Sequence, residues 1–421
     1  MISKIYTKVT DVLLSGTVVV TIGILTASFF SYLLQFFLGR TLSVEEYGTF
    51  NALLSLMYLV GVPSGVFATA IIKVSSELLA KEKFGKLTSL FRRLILYFVI
   101  IGAISSLSII LLRNILSNYL NISQTSLFVA FGLFLGVSYI MVAPNAYLQG
   151  LLRFKAYAVQ AGFIGFFRFL FPSLFVLLGF GVIGVFAGMG LAVLFVFPLS
   201  LLLLKKNFKK VRKLDLSDSL TRILRFSVPV LFINFGMMFL NNVDVIMVKK
   251  FFSSTQAGHY AGTVTLGKIL LFGASTVTTV TFPQISVLYT KGAGYFEKFK
   301  KMFLLQLLLV FCGVLIFTIF PRVLTLLFFG STFENSIAYL PRFSLFVGAY
   351  VLVNFFILFY LAIERVKVVL FLLPATIIQF ILLNLSHANL IQIINVNIYV
   401  TFALLLSLGA YTVFLRKKEL L

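Results

Sequence analysis

The sequence predicts an all-α integral membrane protein of about twelve transmembrane helices, built as two six-helix repeats of the same orientation. Three observations carry that reading. The 421 residues are 60% hydrophobic and only 11% charged, whereas a soluble globular domain is about a quarter charged. Apolar stretches recur along the whole chain, each near the ~20 residues that cross a bilayer as a helix. The loops between them alternate between strongly basic and nearly neutral.

In order, the spans read as 12–38, 49–72, 94–112, 126–149, 157–179 and 181–204, then 226–248, 260–287, 302–329, 337–362, 367–385 and 398–415. Lys4 and Lys8 precede the first. Its apolar run is too long for a signal-peptide core and has no small-residue cleavage site, so it reads as a retained helix. All connections are short and none has room for a folded soluble domain. The longest polar passage, KKNFKKVRKLDLSDSLTRILR, divides the chain into an N-terminal bundle 1–204, a basic linker 205–225 and a C-terminal bundle 226–421. The linker's first part, up to Lys213, is a cationic patch suited to anionic headgroups, worth about 1 kcal/mol per basic residue near the surface. From Leu214 to Arg225 it reads as a short amphipathic helix with Ser217 or Asp218 as N-cap.

Basic loops set orientation. Lys73, Lys81, Lys83, Lys86, Arg92 and Arg93, then Arg153 and Lys155, the linker, Lys291 to Lys301, Arg365 and Lys367, and Arg416 to Lys418 all fall on one side. The other side holds only Arg40, Arg113, Lys249, Lys250 and Arg322. Both termini are therefore expected in the cytoplasm, with the protein in the inner membrane. The net charge of +23 has the same origin and calls for no nucleic acid. Loops also match at an offset near half the chain. Phe84-Gly85-Lys86 parallels Phe296-Glu297-Lys298, and Arg153-Phe154-Lys155 parallels Arg365-Val366-Lys367. Six spans per half is an even number, so the repeats share one orientation and relate by an axis along the membrane normal, as in alternating-access transporters.

Nothing in the sequence points to an enzyme. One cysteine, Cys312, excludes an intrachain disulfide and a Cys-based metal site. His259 and His387 are far apart and read as outer-loop residues, no span carries paired carboxylates, and no phosphate-binding loop is present. No metal or cofactor is expected. With no tryptophan, the 50 Phe and 17 Tyr serve as interfacial and packing aromatics.

The informative residues are charges within spans, which are costly and mark function by default. Arg168 lies mid-span in AGFIGFFRFLF after the small residues Ala161, Gly162 and Gly165. It is expected to line a cavity and contact an anion; an internal ion pair or backbone carbonyls are the plainer alternative. Lys268 in the eighth span and Asp244 in the seventh fall at similar depth if the turn is near Ser254. They read as a structural ion pair, or as substrate and cation-coupling groups. Lys73 is either a cavity-mouth cation or a snorkelling side chain. Arg322 and Arg342 near outer ends read as snorkelling, and Glu77 and Glu364 at inner ends as solvated. Amides at Gln35, Asn51, Asn145, Gln149, Gln160, Asn234, Asn241, Asn242 and Asn354 suit sugar hydroxyls, or equally interhelical packing.

The first outer loop and helix entry, Leu38-Gly39-Arg40-Thr41-Leu42-Ser43-Val44-Glu45-Glu46-Tyr47-Gly48, resembles that of the oligosaccharide-lipid flippases. So do the turn Tyr147-Leu148-Gln149-Gly150-Leu151-Leu152-Arg153-Phe154 and the Gly-rich turn Gly179 to Val185. Phe226-Ser227-Val228-Pro229, and Asp244 followed by Ala257-Gly258-His259-Tyr260, extend the match. In order and spacing these resemble the polysaccharide-biosynthesis, Wzx-like branch of the multidrug/oligosaccharidyl-lipid/polysaccharide (MOP) exporter superfamily, over essentially the whole chain. Lys73 departs from the pattern, which tends to have arginine there. The resemblance implies a MATE-like fold and a monomeric flippase moving a polyprenyl-pyrophosphate-linked oligosaccharide by alternating access, with Na+ or H+ as a possible coupling ion. Arg168, Lys268 and Lys73 would be its cavity cations, since cations such as guanidinium match phosphate. Asp244 would be a coupling residue or ion-pair partner. A cation-coupled multidrug antiporter of the same superfamily is the alternative, and a non-transporting scaffold for glycan assembly a third. The antiporter would be expected to expose acids in its lumen, whereas here the mid-membrane charges are mostly basic.

Overall fold

A computed structural model describes residues 2–205, 216–292 and 294–419. The linker's basic run 206–213 and the first residues of the expected linker helix lie outside the described residues. Before the linker the chain forms α1 (Ile2–Thr41), α2 (Val44–Ala80), α3 (Phe84–Leu111), α4 (Arg113–Leu120), α5 (Ser126–Ser138), α6 (Val142–Gly150), α7 (Phe154–Leu177) and α8 (Gly181–Leu204). After it come α9 (Ser217–Phe251), α10 (Ser254–Thr290), α11 (Tyr295–Ile319), α12 (Pro321–Phe329), α13 (Leu340–Ala362), α14 (Val369–Leu385) and α15 (Leu390–Glu419). No strand occurs among the described residues. Among the described residues eleven segments are long and apolar enough to cross a membrane, so this is a multi-pass membrane protein. The expected eighth span lies within α10, which has 37 residues.

Three spans differ from the sequence expectation, each for a local reason. The expected span 302–329 is two helices, because α11 stops at Ile319 and α12 restarts at Pro321. Proline lacks an N–H, which favours it in the first turn of a helix, where that donor has no partner to lose. The fourth span is α5 and α6 joined by a tight 3-10 turn at Tyr139–Met141. Pro144 cannot donate to the Ile140 carbonyl and crowds it. The segment read as a separate linker helix is, from Ser217 onward, the first turns of α9, which runs unbroken to Phe251.

The chain forms two compact units, Met1–Leu42 with Gly61–Leu231, and Ser43–Val60 with Phe232–Leu421. In the first unit small residues let helices approach closely. A Cβ at Gly102 of α3 would lie 2.3 Å from the Gly136 carbonyl oxygen of α5, the close backbone approach typical of membrane helix interfaces. Phe131, Phe134 and Phe186 fill the space beside it. The Tyr147 hydroxyl donates to the Leu87 carbonyl at 3.0 Å, which ties α6 to α3. Glu77, expected to be merely solvated, forms an ion pair with Arg222 in the first turns of α9.

In the second unit α13 is the core helix, with 78% of its most apolar window buried. A helix that is apolar on all faces belongs in the interior. Tyr47 at the start of α2 packs edge-on against both Phe329 and Phe333, at ring distances of 5.5 and 5.3 Å. Its hydroxyl hydrogen-bonds the Thr265 hydroxyl at 2.9 Å.

The internal repeat is visible in backbone geometry. The turns after α6 and α13 close alike, with Arg153 N–H donating to the Leu148 carbonyl and Arg365 N–H to the Tyr360 carbonyl, both 5 residues back. Each places a non-glycine residue in the left-handed region, Leu152 at φ 55° and Glu364 at φ 59°. The short helices α4 and α12 follow the third span of each half. Left-handed backbone costs a β-carbon-bearing residue about 1 kcal/mol, and Leu152 is 49% exposed, so it gives up little packing. Leu152→Gly is therefore expected to raise the thermal midpoint in detergent, and an unchanged or lower midpoint would show that the turn carries no such strain.

Candidate functional site

Helices α9, α10 and α13 of the second unit, with Tyr58 of α2, line an open-sided cavity of about 380 Å3. Lys268, Asn234, Asn241, Asn242, Asn354, Tyr58 and Tyr350 supply its polar lining, and Ile233, Phe272, Ile357, Leu358 and Leu361 its apolar wall. The Lys268 ammonium donates to Asn242 Oδ1 at 3.1 Å and sits 5.2 Å from the centroid of the Tyr58 ring. Asn242 Nδ2 in turn donates to the Met238 carbonyl at 2.9 Å. Among the described residues no carboxylate pairs with Lys268 within 4 Å. An ammonium in an apolar helix is costly, which makes Lys268 a candidate functional residue.

The expected ion pair between Lys268 and Asp244 is not formed as a contact. The reason is helix register. At about 1.5 Å per residue, Asp244 lies about 10 Å below the end of α9 and Lys268 about 21 Å below the start of α10. Tyr260, about 9 Å below the start of α10, is the residue at the depth of Asp244. Its hydroxyl donates to Asp244 Oδ2 at 2.6 Å. Side chains on a helix lean toward its N-terminus, so Lys268 reaches back only as far as Asn242.

Asp244 instead centres a second cluster, with no exposed surface. Asn397 Nδ2 donates to Asp244 Oδ2 at 3.1 Å, and Val245 N–H to Oδ1 at 2.9 Å. Gln379 Nε2 donates to Asn397 Oδ1 at 2.9 Å and to the Leu240 carbonyl at 3.0 Å. Two buried oxygens of neighbouring side chains, Gln379 Oε1 and Thr401 Oγ1, have no hydrogen-bond partner. The cluster thus combines a buried carboxylate with spare oxygen ligands.

The other expected cavity cations belong to the first unit. Arg168 is half-buried on α7 and Lys73 is exposed on α2, and neither lines the cavity around Lys268. The amides divide by role. Asn51 donates to the Tyr47 carbonyl, and Gln160 donates to Ser200 Oγ at 2.5 Å, so both hold the protein itself together. Asn241 and Asn354 line the cavity and make no side-chain hydrogen bond among the described residues. His259, expected in an outer loop, is 7% exposed in α10, because a capping box of Ser253 and Gln256 starts that helix early. Sequence reasoning missed Tyr58, Tyr350, Gln379, Asn397 and Thr401. A signal existed for two of these: Asn397 and Thr401 are four apart and share one face of a membrane helix.

Against this geometry, the model of the family described as "Polysaccharide biosynthesis protein" matches residues 14–338. The chain belongs to the polysaccharide biosynthesis protein family. That bears out the resemblance in the loop motifs. Comparison with curated proteins gives no match. Among solved structures, this family member is similar to an inward-facing multidrug resistance MATE transporter of the MOP superfamily. The TM-score is 0.72 at 14% identity, over 96% of this chain and 99% of that one. It is also similar to the lipid II flippase MurJ in an inward closed conformation, with a TM-score of 0.73 at 13% identity over 94% and 87% of the two chains. A MOP superfamily transporter from Pyrococcus furiosus, described as having a binding pocket of reversed polarity, aligns with a TM-score of 0.59 at 15% identity over 95% of each chain. At such identities the likeness establishes the fold, which is the MATE-like fold expected from the sequence.

Proposed function

We propose that this polysaccharide biosynthesis protein is a flippase, which carries a polyprenyl-pyrophosphate-linked oligosaccharide from the inner to the outer face of the cytoplasmic membrane by alternating access. The observation that carries the reading is the intramembrane cavity holding Lys268 with no carboxylate paired to it. A cation so placed suits a phosphate, and the unpartnered amides of Asn241 and Asn354 beside it suit sugar hydroxyls. Arg168 and Lys73 are further candidate cargo contacts, within the first unit. Basic turns support cytoplasmic termini, and a monomer is sufficient for this work.

The Asp244 cluster supports a coupling role. A buried carboxylate that no cationic side chain contacts within 4 Å among the described residues is a natural place for a cation or a proton. Gln379 Oε1 and Thr401 Oγ1 offer a sodium ion further oxygen ligands. Inward movement of Na+ or H+ would drive the bundles through their cycle, and the inside-negative potential adds about 2.3 kcal/mol per charge per 100 mV to outward movement of an anion.

The test is flipping of a fluorescent polyprenyl-pyrophosphate sugar in proteoliposomes. Charge-assisted hydrogen bonds contribute about 1.5–3 kcal/mol, so Lys268→Ala is expected to slow flipping roughly 10- to 100-fold, and Arg168→Ala comparably. Export of cationic drugs in place of flipping would instead establish the antiporter, and neither activity by the wild type would leave a scaffold.

A further inference from the structure

Lys268 is useful as an anion contact only if its ammonium is held away from competing acceptors and presented to the cavity. A lysine side chain has four rotatable bonds and loses about 2 kcal/mol of rotamer freedom when fixed. Two neighbours do the fixing. Asn242 lies on α9 and is 1% exposed. Its Nδ2 is committed to the Met238 carbonyl one turn back, which determines which end of the amide faces Lys268. Oδ1 therefore points at the ammonium, at 3.1 Å. From α2, the Tyr58 ring lies 5.2 Å from the same nitrogen, within reach of a cation–π attraction. Both partners are neutral, so they hold the ammonium without cancelling its charge. An ammonium has three N–H donors; Asn242 takes one, and the others stay available to a ligand.

We infer that Asn242 is a positioning residue, which together with Tyr58 presents the Lys268 ammonium to one phosphate of the substrate. It is not a reader of sugar hydroxyls. This rests on the reading of Lys268 as the anion contact. It also assigns different work to adjacent amides: Asn241 is free to meet the ligand, while Asn242 is spent on the protein. Neutrality at position 242 is the point of the arrangement. A carboxylate of the same size would pair with Lys268 and remove it from use.

The chain has no tryptophan, so Tyr58→Trp creates a single fluorescent reporter that keeps an aromatic face beside the ammonium. In this background we would titrate geranyl pyrophosphate and read the tryptophan emission, alongside flipping by the wild type. Asn242→Asp, nearly isosteric with the native residue, is expected to weaken pyrophosphate binding ~10-fold or more, as the new carboxylate takes the ammonium. Asn242→Ala, which removes the anchor without adding charge, is expected to lose less. Adding Asn242→Asp to Lys268→Ala is expected to cost nothing further, since residues acting as one unit do not add. Independent, additive losses, or unchanged binding in Asn242→Asp, would overturn the positioning role while wild-type flipping left the flippase reading intact. A wild type that neither flips the lipid-linked sugar nor, with the reporter in place, responds to pyrophosphate would overturn both.

Discussion

Asp244→Asn is expected to abolish the dependence of flipping on a sodium or proton gradient while leaving the protein folded. The asparagine keeps a carbonyl oxygen for the Tyr260 hydroxyl and Asn397 Nδ2, which converge on Oδ2 at 2.6 and 3.1 Å. What it lacks is the charge that would hold a cation or exchange a proton, together with the Oδ1 acceptor of the Val245 N–H. Asp244→Leu should behave differently. It strands the Tyr260 hydroxyl and Asn397 Nδ2 in the interior, at about 1–3 kcal/mol for each buried unsatisfied group, so the whole second unit should lose stability. The thermal midpoint reads the two effects apart. If sodium is the ligand, saturating it at about 100-fold over its dissociation constant adds about 2.7 kcal/mol of stability. That increment should be present in wild type and absent in Asp244→Asn. If the proton is the ligand, flipping should follow the pH gradient alone and sodium should leave the midpoint unmoved. An asparagine variant that retains full ion dependence would remove Asp244 from the coupling role.

The second large effect is expected at Gly258. A Cβ there would lie 2.0 Å from the Val44 carbonyl oxygen, and one at Gly48 would lie 2.6 Å from the Gly258 nitrogen. The clashing atoms are backbone at the start of two helices and cannot rotate away. Gly258→Ala must therefore push the starts of α2 and α10 apart, at about 3 kcal/mol or more. The same movement would break the Glu45–Thr255 hydrogen bond, 2.8 Å, and loosen the Tyr47–Thr265 contact. Loss of the folded, monodisperse protein in detergent, or a sharp drop in its thermal midpoint, is the expected result. Gly61 and Gly65 of α2 provide the control, because a Cβ at either meets nothing within 4 Å. Alanine at those positions should be neutral or gain up to about 1 kcal/mol of helix propensity. Equal damage at all these positions would show that helix packing at Gly258 has no special closeness.

Legibility in the sequence followed the range of the interaction involved. The membrane location, the order of spans and the alternation of basic turns are properties of composition and of residues close in sequence. They needed no knowledge of which helix lies beside which. Even the local departures, the break before Pro321 and the kink at Pro144, carry their cause in the sequence, as a missing N–H. The intramembrane charges were likewise visible as residues, because a Lys268 or an Asp244 in an apolar run stands out wherever the run is placed.

What they touch was not visible. Pairing Asp244 with Lys268 required the end of α9 and the start of α10 to within a residue or two. With the turn where it was expected, near Ser254, the two residues still differ in depth by about two helical turns, which gives Asp244 to Tyr260 and Lys268 to Asn242. The division of the amides into structural and free likewise depends on neighbours from distant helices: Asn397 on α15 reaches Asp244 on α9, and Gln379 on α14 reaches the Leu240 carbonyl of the same helix, each across more than a hundred residues. The sequence by itself therefore determined that this is a multi-pass membrane protein of two repeats with cations in its spans. Only the tertiary structure decided which of those charges and amides bind each other and which remain available to a ligand. Hydrophobicity and charge belong to single residues, whereas a hydrogen bond exists only once two helices have fixed both their spacing and their rotation.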